Sequence, residues 1–352
     1  MAVVVFVAAD AVGGKSDKSS DGNDQQPPAT KTPDAPGISI DSSPVFDIPD
    51  PFLLQSGGEY YMYFSSAFGD ATNSNIPFQM GRPGHWSPIH DALPVEPSWA
   101  FSSSTDATTW DPYVVRLGDK YLMYSAPSVR ADLIDTPMHC IMVATSSSPA
   151  GPFKAVGDAP LVCQPKLGGD IDAQLFDDPS GPRGPAHPYY LIWKSDNNNL
   201  PGSGPCTIWA TPMSNDGLTL EGKPVAIFRA TEKWETPVLE APQMVLAPNK
   251  SVWLFFSAGS GYYTARYAMG VAPCDGPLGG CKTSGGPFIS SNAQGVGPGE
   301  ETVFEGPNSM WLLYNPWHSR IPLEPLRPAE AVRIGWNSKG PYIAEDGTFP
   351  SP

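Results

Sequence analysis

This chain is short of positive charge. Its 352 residues carry 21 Lys and Arg against 36 Asp and Glu, a formal charge of −15. That balance argues against a nucleic-acid partner, which needs basic surface, and against docking on an anionic membrane. Cysteines number only five, too few for a disulfide scaffold, and none stands in a CxxC or HxxxH spacing that would hold zinc. No apolar run is long enough to cross a membrane. No amphipathic helical stretch stands out either. The start, MAVVVFVAADAVGGKS, has a short apolar run without a basic flank, so it reads either as a clipped secretory leader or as a strand. Residues 15–38 are polar and Pro-rich, the composition of a disordered linker.

Turn formers are abundant: 42 Pro and 35 Gly, which outside the first 40 residues fall between apolar runs. They punctuate a repeat. An acidic residue, a short apolar run, a Gly/Asp/Asn/Pro turn and an aromatic run recur from Asp50, Asp111, Asp172, Glu240 and Glu300. Each copy predicts a β-hairpin. One hairpin cannot bury both its faces, so recurrence at about 60 residues predicts a radial β array. Third strands are expected at His139–Thr145, Cys206–Ala210 and Tyr262–Ala268, and a fourth near Val225–Phe228. Four strands in each of five repeats make an all-β, five-bladed propeller over residues 41–352, preceded by a leader and linker over 1–40. A β-solenoid needs a shorter period, and a sandwich would not repeat an acidic strand start at such even spacing. In a propeller the five leading carboxyl groups converge on one central pocket.

The segments Phe46–Phe52 (FDIPDPF), Ile171–Asp178 (IDAQLFDD) and Leu239–Met244 (LEAPQM), in that order, resemble the three signature segments of family 43 glycoside hydrolases. The connecting segments Ala144–Phe153 and Cys274–Gly279 and the Gly297-Pro298-Gly299 turn are similar too. The resemblance implies an enzyme acting on arabinofuranosyl or xylosyl linkages by inversion, with α-L-arabinofuranosidase favoured and β-xylosidase or endo-arabinanase next. It assigns Asp50 as general base, Glu240 as general acid and Asp172 as the group that tunes the acid's pKa. Inversion needs one carboxylate to activate water and one protonated carboxyl for the leaving oxygen, about 6.5–9.5 Å apart. A neighbouring carboxylate and partial burial would keep Glu240 protonated. Singly, each of these residues also reads as turn punctuation, a cap or an edge charge; their equivalent places in successive repeats favour the catalytic reading.

Two positions depart from the family pattern. Asp111 stands where the family has Ala in a Trp-Ala-Pro segment, and either contacts sugar or closes a turn. Glu300 stands where a His is common; as a carboxylate it is a candidate ligand for a structural calcium in the central channel. No cofactor is otherwise required. Trp99, Trp110 and Trp193 are candidate sugar platforms, while Trp253 and Trp311 read as core. Lys194, Ser195 and Asp196 read as a solvated loop or as the rim of the site. His139 and His318 read as structural. Bridges Cys140–Cys163 and Cys274–Cys281 are a pairing guess that leaves Cys206 odd; unpaired buried thiols are the rival. The expected partner is a carbohydrate, with no nucleic acid and no membrane, and the protein is expected to be a secreted monomer. The other readings are a glycan-binding propeller without catalysis, and a fructosyl-acting propeller, whose Arg-Asp-Pro and Glu-Cys segments this chain lacks.

Overall fold

A computed structural model describes residues 38–40, 47–66, 73–101, 108–283, 285–292, 295–306, 309–317, 327–344 and 349–352. His318 and Phe46, and all but the last three residues of the expected leader and linker, lie outside them.

The hairpins form where the sequence pattern places them. Phe52–Ser56 pairs with Glu59–Tyr63 across Gly57-Gly58, both with positive φ. A two-residue turn with φ > 0 at both positions has the twist that a tight hairpin needs, and glycine adopts it without steric cost. The equivalent inner pairs are Thr109–Leu117 with Lys120–Pro127, Asp170–Asp177 with Tyr189–Ser195, Val238–Leu246 with Val252–Gly259, and Val296–Gly306 with Ser309–Trp317. Each pair continues outward, antiparallel, into its own sheet, giving five blades of a propeller.

In the fourth blade the outer position is held by single bridges, Met269 to Ile289 and Cys274 to Cys281, beside Ala268–Cys274. In the fifth, Ile38–Ser39 from the start of the described chain pairs with Ala331 and Glu330. Ile40 follows it, fully buried. Both expected disulfides are present, Cys140–Cys163 and Cys274–Cys281, and Cys206 is a buried free thiol donating to Asn198 Oδ1.

Packing closes the ring. Five apolar clusters separate the five blades, one at each junction. Tyr63, Phe78 and Met123 join blades one and two; Tyr124, Leu175 and Trp193 join two and three. Tyr190, Leu254 and Phe256 join three and four; Phe255, Leu312 and Ile334 join four and five. Tyr60, Met62 and Trp311 bring five back against one. The aromatic second strands, alternating their side chains between the two neighbouring junctions, supply most of this burial. Trp311 is core as expected, but Trp253 is only half-buried, edge-on to Trp336.

The third strand of blade four corrects the sequence reading. It begins at Ala268, and Tyr262–Tyr267 forms turns instead. Tyrosine-rich sequence has strand propensity, but Gly261 at φ 95° and the bonds from Thr264 N to Gly261 O and Tyr267 N to Thr264 O fold the segment back. That places Tyr267 at the axis rather than in a sheet.

Candidate active site

The start of every inner strand is kinked in the same way. Asp50, Asp111, Asp172, Ala241 and Glu300 all have φ between 50° and 59°, one per blade. In the last four blades a break in pairing register accompanies the kink. Left-handed backbone is costly for residues with a Cβ, and here neighbouring blades hold it in place. The N–H of Asp111 donates to Ser65 Oγ at 2.7 Å, that of Glu300 to Ser257 Oγ at 2.9 Å, and that of Asp50 to Asn315 Oδ1 at 3.1 Å. At the other two junctions an acid does this work. Asp111 Oδ2 accepts from Asp172 N–H at 3.3 Å, and Asp172 Oδ2 from Ala241 N–H at 2.6 Å.

This geometry revises the repeat. In blade four the equivalent of the other strand-start acids is Ala241, and Glu240 lies one residue earlier. Asp50, Asp111, Asp172 and Glu300 line a channel cavity of about 30 Å³ together with Gln243 and Glu301, space for a water or two. Glu240 stands beside that ring and has its own partners. Its Oε2 accepts from Lys194 Nζ at 2.8 Å and its Oε1 lies 2.7 Å from the Tyr267 hydroxyl.

Lys194 is fully buried and also reaches Asp196 Oδ1 at 2.9 Å. Burial opposes its charge, yet Glu240 and Asp196 outweigh that and hold its pKa well above the ordinary lysine value. It therefore belongs to the site, not to a solvated loop. Tyr267 is the site residue that sequence reasoning missed; Lys194 was read as solvated loop or rim and is instead a buried member of the site. The signal for Lys194 was its position, directly after Trp193 at the inner end of an apolar strand, where a lone lysine needs buried partners.

The carboxyl groups differ in their surroundings. Burial raises the pKa of Asp50, while the Arg327 guanidinium and the Ser65 hydroxyl pull it back. Arg327 is itself bound to Asp47 at 2.9 Å and lies over the rings of Tyr262 and Trp317. Asp111 is pushed well above the usual carboxylate range, by burial and then by the neighbouring Asp172. Asp172 is raised by burial and by Glu240, against the pull of Lys194. Glu300 is raised well above the usual range by burial and by Glu240, Asp50 and Asp172. Carboxyl groups held in such unlike environments can divide into proton donors and acceptors near neutral pH.

The candidate platforms also separate. Trp110 is half-buried and stacks on His139 with ring centroids 3.6 Å apart, next to Asp111. Trp99 is buried in the blade one–two junction, and Trp193 is 0 % exposed with its indole N–H bound to Asp170 Oδ1. Neither offers a face to a sugar. Exposed Tyr262 lies against Arg327 instead, with exposed Tyr263 edge-on to it.

The residues do not fit the calcium for which Glu300 is a candidate. Its Oε1 is already engaged by the Tyr267 hydroxyl at 2.7 Å. Among the described residues no three His, Cys, Asp or Glu side chains are arranged to hold a metal ion. No helix among them is long and apolar enough to cross a membrane.

Solved structures share this fold. A thermostable family-43 glycoside hydrolase is 24 % identical, with a TM-score of 0.69 over 91 % of this chain and 98 % of that one. An endo-1,4-beta-xylanase from Bacteroides thetaiotaomicron gives 22 %, 0.66, 87 % and 96 %, and an alpha-L-arabinofuranosidase from Lactobacillus brevis 19 %, 0.66, 87 % and 95 %. No curated protein sequence matches. The match that decides family is to a sequence profile, and it runs over residues 42–340, through the inner strands of all five blades and every carboxyl group just described. On that match the chain belongs to the glycosyl hydrolases family 43.

Proposed function

We propose that this protein is an inverting glycosidase that releases arabinofuranosyl units from plant-type polysaccharides or oligosaccharides, with xylosyl linkages the next choice. Asp50 takes the proton of the attacking water, Glu240 protonates the leaving oxygen, and Asp172 tunes Glu240 and holds the sugar. The observation that carries this reading is the unlike setting of two carboxyl groups at one channel. Asp50 lines the cavity; burial raises its pKa, and the Arg327 guanidinium works against that rise, toward the ionised form a base needs. Glu240 lies outside the ring, gripped by Lys194 and Tyr267 in one orientation, as a group that must meet a leaving oxygen should be. Asp172 links the two, through Ala241 N–H to Glu240's strand and through Asp111 to the ring. The arabinofuranosidase and xylanase named among the fold neighbours support the choice of sugars. We further propose a secreted monomer whose substrate stacks on Trp110.

The test is a panel of nitrophenyl arabinofuranosides and xylosides, with arabinan and arabinoxylan, assayed with wild type and Glu240→Ala. Activity on the arabinofuranosides and a loss of roughly a hundredfold or more in the variant on the polysaccharides is expected. Silence on every substrate, or an unimpaired variant, refutes the reading.

A further inference from the structure

The Tyr267 hydroxyl lies 2.7 Å from Glu240 Oε1 and 2.7 Å from Glu300 Oε1. A phenol has one proton to donate, and an ionised carboxylate has none. Two contacts of this length therefore need a second proton, carried by one of the two glutamates. Tyr267 keeps its own, because burial and both acids push its pKa well up.

The surrounding charges decide where the second proton rests. Glu240 has the Lys194 ammonium on its other oxygen. Glu300 faces Asp50, Asp111 and Asp172 around the ring, and Glu301 follows it in sequence, buried, with Oε1 unpartnered. Arg327, which acts on Glu300 through space, is paired with Asp47 and acts more strongly on Asp50. An acid among like charges and without a cation of its own is the one that stays protonated. At rest, then, Glu300 donates to Tyr267 and Tyr267 donates to Glu240.

We propose that Glu300 is a positioning residue that charges Glu240 with its proton through Tyr267. The transfer is a concerted shift of two protons. The Glu300 O–H breaks as its proton passes to the phenol oxygen, and the phenol's own proton passes to Glu240 Oε1. Tyr267 ends as a phenol, Glu300 as a carboxylate and Glu240 as an acid, so no net charge is created. The inference rests on the proposed role of Glu240. A single displacement leaves a proton on Asp50 and none on Glu240, so every turnover needs that imbalance undone. Asp50 and Glu300 line the same cavity, so Asp50's proton can restore Glu300 from that side. The relay closes the cycle inside the propeller, and it uses the position where the family's usual His is replaced.

The experiment compares Glu300→Gln, Tyr267→Phe and Glu240→Ala on two arabinofuranosides. One has a 2,4-dinitrophenolate leaving group, which departs without protonation; the other has a sugar alcohol, which does not. For all three variants kcat/KM should fall at least about tenfold further on the sugar-leaving substrate than on the dinitrophenyl one. In Glu300→Gln the basic limb of the pH profile should also move to lower pH. The amide has no acid proton to pass on, so Tyr267 donates to Glu240 permanently and stabilises its carboxylate. Equal losses on both substrates in folded Glu300→Gln and Tyr267→Phe, or no loss, would overturn the relay while Glu240→Ala still discriminates. If Glu240→Ala itself fails to discriminate, the acid assignment falls and the relay with it. Should Glu300→Gln not fold, Tyr267→Phe answers the same question through the same ratio.

Discussion

Lys194 Nζ lies 2.8 Å from Glu240 Oε2, and no part of the lysine reaches solvent. The same ammonium holds Asp196. One buried cation thus fixes two carboxyl groups, and its removal would strand both. Lys194→Met keeps the length and loses the charge. It should lower stability by about 3–5 kcal/mol at neutral pH, the usual cost of orphaning buried ionic partners. Acid neutralises stranded carboxylates and relieves the cost of burying them unpaired, so the deficit should shrink as pH falls toward 4. Urea unfolding at pH 7.5 and 4.5 measures both; a loss that is small, or constant across that range, contradicts the pairing.

Asn315 ties three backbone groups near the axis. Its Oδ1 accepts from Asp50 N–H, while Nδ2 donates to Ile48 O and Pro328 O. Asn315→Ala leaves these unsatisfied and should cost about 1–3 kcal/mol. It should also lower kcat through the loosened left-handed backbone at Asp50, more than it changes KM. Steady-state kinetics with a thermal melt decide this; unchanged kcat would mean that Asp50 needs no such brace.

The fold was legible in this sequence because propeller packing writes itself into alternation. Aromatic second strands and Gly or Asp turns repeat because each blade must fill two junctions. The acids at 50, 111, 172 and 300 were legible for the same reason. Glu240 was harder to place. Its motif looks aligned with the others, but the kink falls on Ala241, and only backbone geometry shows the one-residue offset. Tyr267 was hidden by its strand-like neighbours. Trp193 looked like a sugar platform because inner-strand position does not reveal which junction an indole enters.

Glu96 offers a pH test outside the site. Its Oε2 is buried without a partner, and burial pushes its pKa to about 7 although the Thr109 hydroxyl pulls the other way. A carboxyl raised in the folded state favours folding while neutral. Its share of stability is present below about pH 4.5 and lost as pH rises to about 7. That share is roughly 3 kcal/mol. Glu96→Gln should therefore flatten the stability–pH curve between 4.5 and 7 by about this amount. Parallel curves for wild type and variant would show that Glu96 does not carry it.

Trp110 stacks on His139, whose pKa burial lowers to about 4 against the pull of Asp196, so the imidazole is neutral above pH 5. A neutral stack beside Asp111 suits the apolar face of a sugar. Trp110→Ala should raise KM roughly tenfold with a smaller change in kcat. A variant with wild-type KM would move the platform elsewhere, with Tyr262 and Tyr263 next to be tested.

The most direct test of the account is the anomeric configuration of the first sugar released, followed by proton NMR before mutarotation. Asp50 as the base of a single displacement predicts a product of inverted configuration. A product that keeps the substrate's configuration would contradict the account, because it would require a covalent intermediate and a carboxylate acting as nucleophile.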